Sequence, residues 1–179
     1  MQGNWFIGLP ASFAVELPPV PQATRLFAPS DLHFTIAFLG SVTEAQARSA
    51  WAALEWPLPA VEVTLGAVVP MGPPRRYSAL SFTLDRGRAE VEAAIAKARV
   101  ACCEAAGVAV DPRPALAHLT IARPQRRATD AEREAALAWT KEIRPPSTAF
   151  TLGSVALYTW AEDRKSTLFR IVERVSCRG

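Results

Sequence analysis

Cysteine and histidine are scarce in this chain: three and two, respectively, among 179 residues. The cysteines are odd in number, with Cys102 and Cys103 adjacent, Cys177 apart, and no C-x-x-C pair. That excludes a secreted disulfide framework and lacks the spacing of a metal knuckle. His33 and His118 stand in opposite halves of the chain with no thiol cluster beside them, so no structural zinc is expected and no metal or cofactor is assigned. No apolar run approaches the roughly 18 residues of a membrane span, because Pro and Arg interrupt the longest ones. The opening Met1-Gln2-Gly3-Asn4 has no basic stretch of the kind that begins a signal peptide. The expectation is a cytoplasmic protein, monomeric and without membrane association.

Lysine is also rare. Only Lys97, Lys141 and Lys165 stand among the 20 basic residues, and the rest are arginine. Arginine's planar fork suits phosphate oxygens, but a net charge of +3 permits an anionic partner without demanding one. Half of the residues are hydrophobic and 21% are charged, which excludes a disordered chain. A chain this long buries roughly 70% of its unfolded surface. Residues 1–179 therefore read as one domain, or as two small lobes packed closely together.

Periodicity divides the chain into alternating elements. Residues 4–9 read as a buried strand stopped by Pro10. Residues 11–32 carry Pro18, Pro19, Pro21 and Pro29, which leaves room for a short helical turn around 11–17 and otherwise extended loop. His33–Leu39 places large apolar side chains at 34, 36 and 38, the period of a strand. Thr43 with Gln46 forms a capping-box pattern that opens a helix to about Glu55. Strands are expected over 60–70 and 77–84, joined by the turn 71–76. A helix follows over 87–106, with Asp85 near its start, Gly107 as its stop, and Val91, Ile95, Ala98 and Cys102 on one face. The second half repeats the order: a strand from His118 to Ala122, a helix from the Thr129/Glu132 capping box to about Lys141, and strands over 148–159 and 166–175. The fold class is α+β, with antiparallel sheet where strands follow one another through turns.

Both histidines occur in the same pattern, His33-Phe34-Thr35-Ile36-Ala37 and His118-Leu119-Thr120-Ile121-Ala122. With 12 threonines in the chain, a threonine two places after both histidines has a chance of roughly one in two hundred. On a strand, residues i and i+2 share a face, so each imidazole stands beside its threonine hydroxyl. Phe34, Ile36 and Phe38 then pack the core from one strand, and Leu119 and Ile121 from the other. Two such lobes facing each other would make a cleft with two imidazoles and two hydroxyls. Hydroxyls donate to nonbridging phosphate oxygens, and imidazole serves as acid or base near neutrality. Such chemistry needs no metal.

These paired motifs resemble those of the 2H phosphoesterase superfamily, nearest its RNA 2',3'-cyclic phosphodiesterase branch, also known as 2'-5' RNA ligase. Leu32–Gly40 resembles the first motif of that family, Ala117–Arg123 its second, and Trp5–Pro10 its opening strand. The resemblance implies a bilobal, pseudo-twofold arrangement of two antiparallel sheets with flanking helices and a groove between the lobes. It also implies hydrolysis of 2',3'-cyclic phosphate ends of RNA or nucleotides to 2'-phosphates, alongside reversible 2'-5' RNA ligation. His118 would then activate water, His33 would protonate the departing 3' oxygen, and Thr35 and Thr120 would hold the phosphate.

Arg123 follows the second motif, where the family often has arginine. Strict alternation points it away from His118, and only the end of the strand before Pro124 lets it swing inward. Arg75 and Arg76 could line an RNA path or be a solvated turn; Phe6 could stack on a base or belong to the core; Trp160 is equally open. The rival enzymatic reading keeps the mechanism but takes a cyclic phosphate on ADP-ribose or a 2'-5' linkage. The rival of another class is a noncatalytic RNA-binding module.

Overall fold

The computed structural model describes residues 3–178; Met1 and Gln2, part of the opening read above for a leader, lie outside the described residues. The chain runs β1 (Gly3–Pro10), β2 (Thr24–Leu26), β3 (His33–Val42), α1 (Glu44–Ala52), β4 (Val61–Val63), β5 (Leu65–Pro70), β6 (Leu80–Leu84), α2 (Arg88–Ala106), β7 (His118–Pro124), α3 (Asp130–Thr140), β8 (Phe150–Leu152), β9 (Ser154–Trp160) and β10 (Phe169–Ser176). A single 3-10 turn at Pro29–Asp31 leads into β3. The α+β expectation holds.

Helix ends follow their sequence signals. Thr43 and Gln46 close a complete capping box on α1, and Thr129 and Glu132 do the same on α3, so each helix begins with two amide donors satisfied. Gly87 and Gly107 bracket α2 at φ of 79° and 69°, the left-handed region that glycine enters without strain. Val91, Ile95, Ala98 and Cys102 form its buried face. No described helix is long and apolar enough to cross a membrane.

The large sheet has the order β10-β9-β1-β3-β7-β6-β5, with β2 added beside β7, and β4 and β8 form a separate two-stranded sheet. Every pairing is antiparallel. Chain order β1-β3-α1-β4-β5 is echoed by β6-β7-α3-β8-β9, and the two halves exchange their last strands. β5 pairs with β6 of the other half, β9 pairs with β1, and β4 pairs with β8. The halves meet edge to edge at one ladder pair, Phe34 opposite Leu119. These are the central residues of the two His-x-Thr motifs, so the pseudo-dyad passes between them.

The single strands expected over 60–70 and 148–159 are each divided. Thr64 leaves the ladder to accept hydrogen bonds from the backbone N–H groups of Asp85 (2.9 Å) and Arg86 (3.1 Å). Gly153 accepts one from Cys177 N–H at 2.9 Å. The helical turn expected around 11–17 is absent. Flanked by prolines that cannot donate, this segment stays extended. Phe13 packs against Phe82 and Phe150 (ring centroids at 6.1 and 5.1 Å), and Trp139 Nε1–H donates to the Pro18 carbonyl at 3.2 Å. Tertiary packing replaces local helix bonds there.

Candidate active site

The chemistry converges where β3 and β7 touch. Phe34 and Leu119 are fully buried below the sheet. Extending their register by one residue each way places His33 beside Thr120 and Thr35 beside His118. Residues flanking an inward pair point to the opposite face, so two imidazoles and two hydroxyls share the outer face in a checkerboard. All four are partly exposed.

Both rings are held in the same way. His33 Nδ1 lies 2.7 Å from the carbonyl oxygen of Asp31, and His118 Nδ1 lies 2.9 Å from that of Leu116. A carbonyl only accepts, so Nδ1 carries the proton in each ring and Nε2 is the bare nitrogen of the neutral imidazole. Two copies of one device thus leave two Nε2 atoms for proton transfer. Glu92 of α2 accepts from Ala117 N–H at 3.1 Å, tying down the chain just before His118.

Beyond the threonines both strands bulge at the same motif position. Across β1 and β3, Gly8 faces Thr35 while Ile7 faces Ala37, so Ile36 is the extra residue. Across β6 and β7, Ser81 faces Thr120 while Leu80 faces Ala122, so Ile121 is the extra residue. A bulge resets the alternation: Ile-Ala is buried as a pair in both strands, and the residue after it returns to the outer face. This corrects the expectation for Phe38, which is 60% exposed on the outer face instead of packing the core. It also places Arg123 on the face of His118 and Thr120, by the bulge and not by fraying before Pro124. Partial desolvation lowers the Arg123 guanidinium from its ordinary pKa, and it remains charged.

The two histidines differ in their surroundings. Phe6 stacks on His33 at 4.5 Å between centroids, Tyr158 lies at 5.2 Å, and Phe169 meets its edge at 5.6 Å. Burial among these rings pulls the imidazole pKa down to about 4; the Asp31 hydrogen bond opposes the shift, and the charges of His118 and Arg123 add to it. Phe6 is itself buried, stacked between His33 and Tyr158 (4.7 Å), and packs as part of the aromatic cluster around His33. Gly8 is required beside it, because a Cβ there would lie 2.8 Å from the Phe34 carbonyl oxygen and 3.3 Å from His33 Cδ2.

Sequence reasoning missed Asp31. Its carboxylate is buried and accepts from Leu168 N–H (2.8 Å), Phe169 N–H (3.0 Å) and the Thr167 hydroxyl. Through its carbonyl the same residue orients His33, so the closing loop is fastened to the residue that sets the ring. It also missed Ser81, whose hydroxyl lies 3.1 Å from that of Thr120. Ser81 could have been found by alternation along β6, but Asp31 carries no local signal. Arg75 and Arg76 sit in the exposed 71–76 turn, and among the described residues their side chains make no hydrogen bond to the motifs. Trp160 is 44% exposed, with the Arg164 guanidinium 4.2 Å above its ring. Among the described residues no cluster of three or more His, Cys, Asp or Glu could hold a metal ion.

No family model matches the chain, and no curated protein matches it. Solved structures do. E. coli LigT complexed with 3'-AMP superimposes with a TM-score of 0.69 at 18% identity, covering 100% of both chains. A structure described as a phosphoesterase gives 0.68 at 19% identity, again over 100% of both. LigT complexed with NADP+ gives 0.66 at 19% identity over 99% of both. At these identities the likeness is one of fold: the chain has the α+β fold of LigT from end to end.

Proposed function

We propose that this protein hydrolyses 2',3'-cyclic phosphate ends of RNA or nucleotides to 2'-phosphates, using His33 and His118 as a proton-transfer pair. The observation that carries the reading is the checkerboard about the Phe34–Leu119 pair, with both imidazoles on one face of the sheet and each Nδ1 engaged by a backbone carbonyl. A cyclic phosphate seated over it would have a nonbridging oxygen near each threonine hydroxyl and the Arg123 charge beside it. Water attacks phosphorus from one side and gives its proton to one Nε2. The P–O3' bond breaks on the other side, and the departing oxygen takes a proton from the second imidazole. With a 5'-hydroxyl in place of water, the same forward steps with the same proton roles form a 2'-5' linkage and free the 3'-hydroxyl; the roles exchange when that linkage is cleaved back to the cyclic phosphate.

The family resemblance assigns His118 as the base and His33 as the acid. The desolvation of His33 favours the opposite split, because a ring with a pKa of about 4 enters catalysis neutral. Under that second reading kcat/KM rises with pH through about 4; with His33 as the acid it falls over the same interval, since kcat/KM titrates the free enzyme.

The direct test incubates the protein with 2',3'-cyclic nucleotides in excess chelator and separates the products. Turnover to 2'-phosphates is expected, with His33→Ala and His118→Ala each losing about 10²–10⁴-fold while folding normally. Binding without turnover would favour the noncatalytic module, and turnover abolished by chelator would overturn the His/His scheme. A cyclic phosphate on ADP-ribose, assayed in parallel, separates the rival substrate class.

A further inference from the structure

Arg123 faces two ways. On one side it shares the outer face with His118 and Thr120. On the other it lines a cavity of about 620 Å³ with Arg25, Arg126, Phe27 and Leu168. Arg25 is its direct neighbour across β2 and β7, so both guanidiniums project from one face. Phe27 joins the cavity to the imidazole site, lying 5.3 Å below the Arg123 guanidinium and 6.2 Å from Phe169, whose ring meets His33.

What sets these three arginines apart is that they gather around one cavity. Arg48, Arg86, Arg88 and Arg113 each form an ion pair with a carboxylate. Among the described residues Arg25, Arg123 and Arg126 form none. Arg25 donates through Nη2 to the Arg164 carbonyl oxygen at 2.7 Å, which fixes the fork without neutralising it. The closing loop also carries Glu162 and Asp163, and Asp163 accepts from the backbone N–H of Lys165. A second cavity, of about 500 Å³, sets Arg144 beside Glu142, among prolines. Three guanidiniums without a carboxylate partner around one cavity, one of them on the face of His118 and Thr120, suit an anion, and a fork geometry favours phosphate oxygens.

We propose that this cavity is a second phosphate subsite, which takes the phosphate on the 5' side of the nucleoside whose cyclic phosphate reacts. The proposal rests on the functional reading above and deepens it: the preferred substrate carries two phosphates on one nucleoside. Arg123 forms the wall between the two subsites, while Arg25 and Arg126 hold the second phosphate. Apolar Phe27 and Leu168 give the sugar a dry surface. Such a phosphate could belong to an RNA chain or to a 5'-phosphorylated small nucleotide.

The test compares adenosine 2',3'-cyclic phosphate bearing a 5'-hydroxyl, the same compound bearing a 5'-phosphate, and the dinucleotide ApA ending in a 2',3'-cyclic phosphate. The second and third are expected to show kcat/KM at least about tenfold above the first, a fold-change of the size one charge-assisted contact supplies. A higher value for the dinucleotide identifies RNA as the source; a higher value for the 5'-phosphate identifies a small nucleotide. Arg25→Ala with Arg126→Ala should bring the ratios towards one, whereas Lys97→Ala on the exposed face of α2 should leave them unchanged. Ratios near one in the wild-type protein, or ratios that persist in the double variant, would overturn the subsite. Calorimetric titration with adenosine 2'-phosphate and adenosine 2',5'-bisphosphate reads the subsite without catalysis. Tighter binding of the bisphosphate that disappears in the double variant supports it even if no substrate turns over, and equal binding refutes it.

Discussion

Replacing Asp31 with alanine tests how the closing loop supports the site. The buried carboxylate receives two backbone N–H groups, from Leu168 and Phe169, and the Thr167 hydroxyl. Deleting it leaves three partly buried donors without this acceptor. If each lost bond costs about 1 kcal/mol after rehydration, the total is about 3 kcal/mol; donors that stayed dry would raise it further. Asp31→Asn keeps one acceptor oxygen but turns an amide donor towards N–H groups, so an intermediate loss of about 1–2 kcal/mol is expected. The effect also reaches the chemistry. In Asp31→Asn, where one acceptor oxygen still fastens the loop and Phe169 stays on the ring's edge, loss of the Asp31 charge removes an influence that raises the His33 pKa. Urea denaturation should therefore show Ala below Asn below wild type. The pH profile of kcat/KM for Asp31→Asn should move its acidic limb downwards, a readout that simple loss of stability does not shift. An alanine variant within 1 kcal/mol of wild type, with an unchanged pH profile, would refute the coupling.

Burial of His33 gives a second prediction. Its pKa is about 4 in the folded chain against 6.5 for an unperturbed imidazole, so between these values the unfolded state binds more protons. The stabilisation is complete above about pH 6.5 and is lost as pH falls towards 4, amounting to at most about 3 kcal/mol because the ring's outer edge meets the groove. Urea midpoints across that range should converge between wild type and His33→Gln at the acidic end, and parallel curves would contradict the shift. Gly8→Ala gives a third. With backbone 2.8 Å from the new methyl group and the His33 ring at 3.3 Å, the variant should lose about 1–3 kcal/mol and a larger fraction of kcat than of substrate affinity. Wild-type kcat would show that β1 can retreat without moving the imidazole.

Much of this protein was written locally. The capping boxes at Thr43 and Thr129, the glycines that bracket α2, and the strand character of both motifs are short-range signals, read where they act. The pairing of each histidine with its threonine also follows from one strand's geometry, and the repeated motif pointed to two such pairs meeting. Alternation failed at Phe38 and Arg123 because a bulge is an agreement between two strands. The extra residue at Ile36 or Ile121 exists only relative to β1 or β6. The prolines of 11–21 removed helix without saying where Phe13 would pack.

The sequence by itself determined which side chains are candidates for the chemistry and which neighbour each would have along its own strand. That information lies within a few residues, where backbone sterics and side-chain period decide. Tertiary structure alone decided that the halves exchange strands, that Phe34 meets Leu119, that aromatic rings from β1, β9 and β10 desolvate one histidine and not the other, and that Asp31 ties a distant loop to it. Those outcomes depend on contacts between separate elements, up to 137 positions apart for Asp31 and Leu168, which burial and long-range hydrogen bonding select and no local pattern encodes.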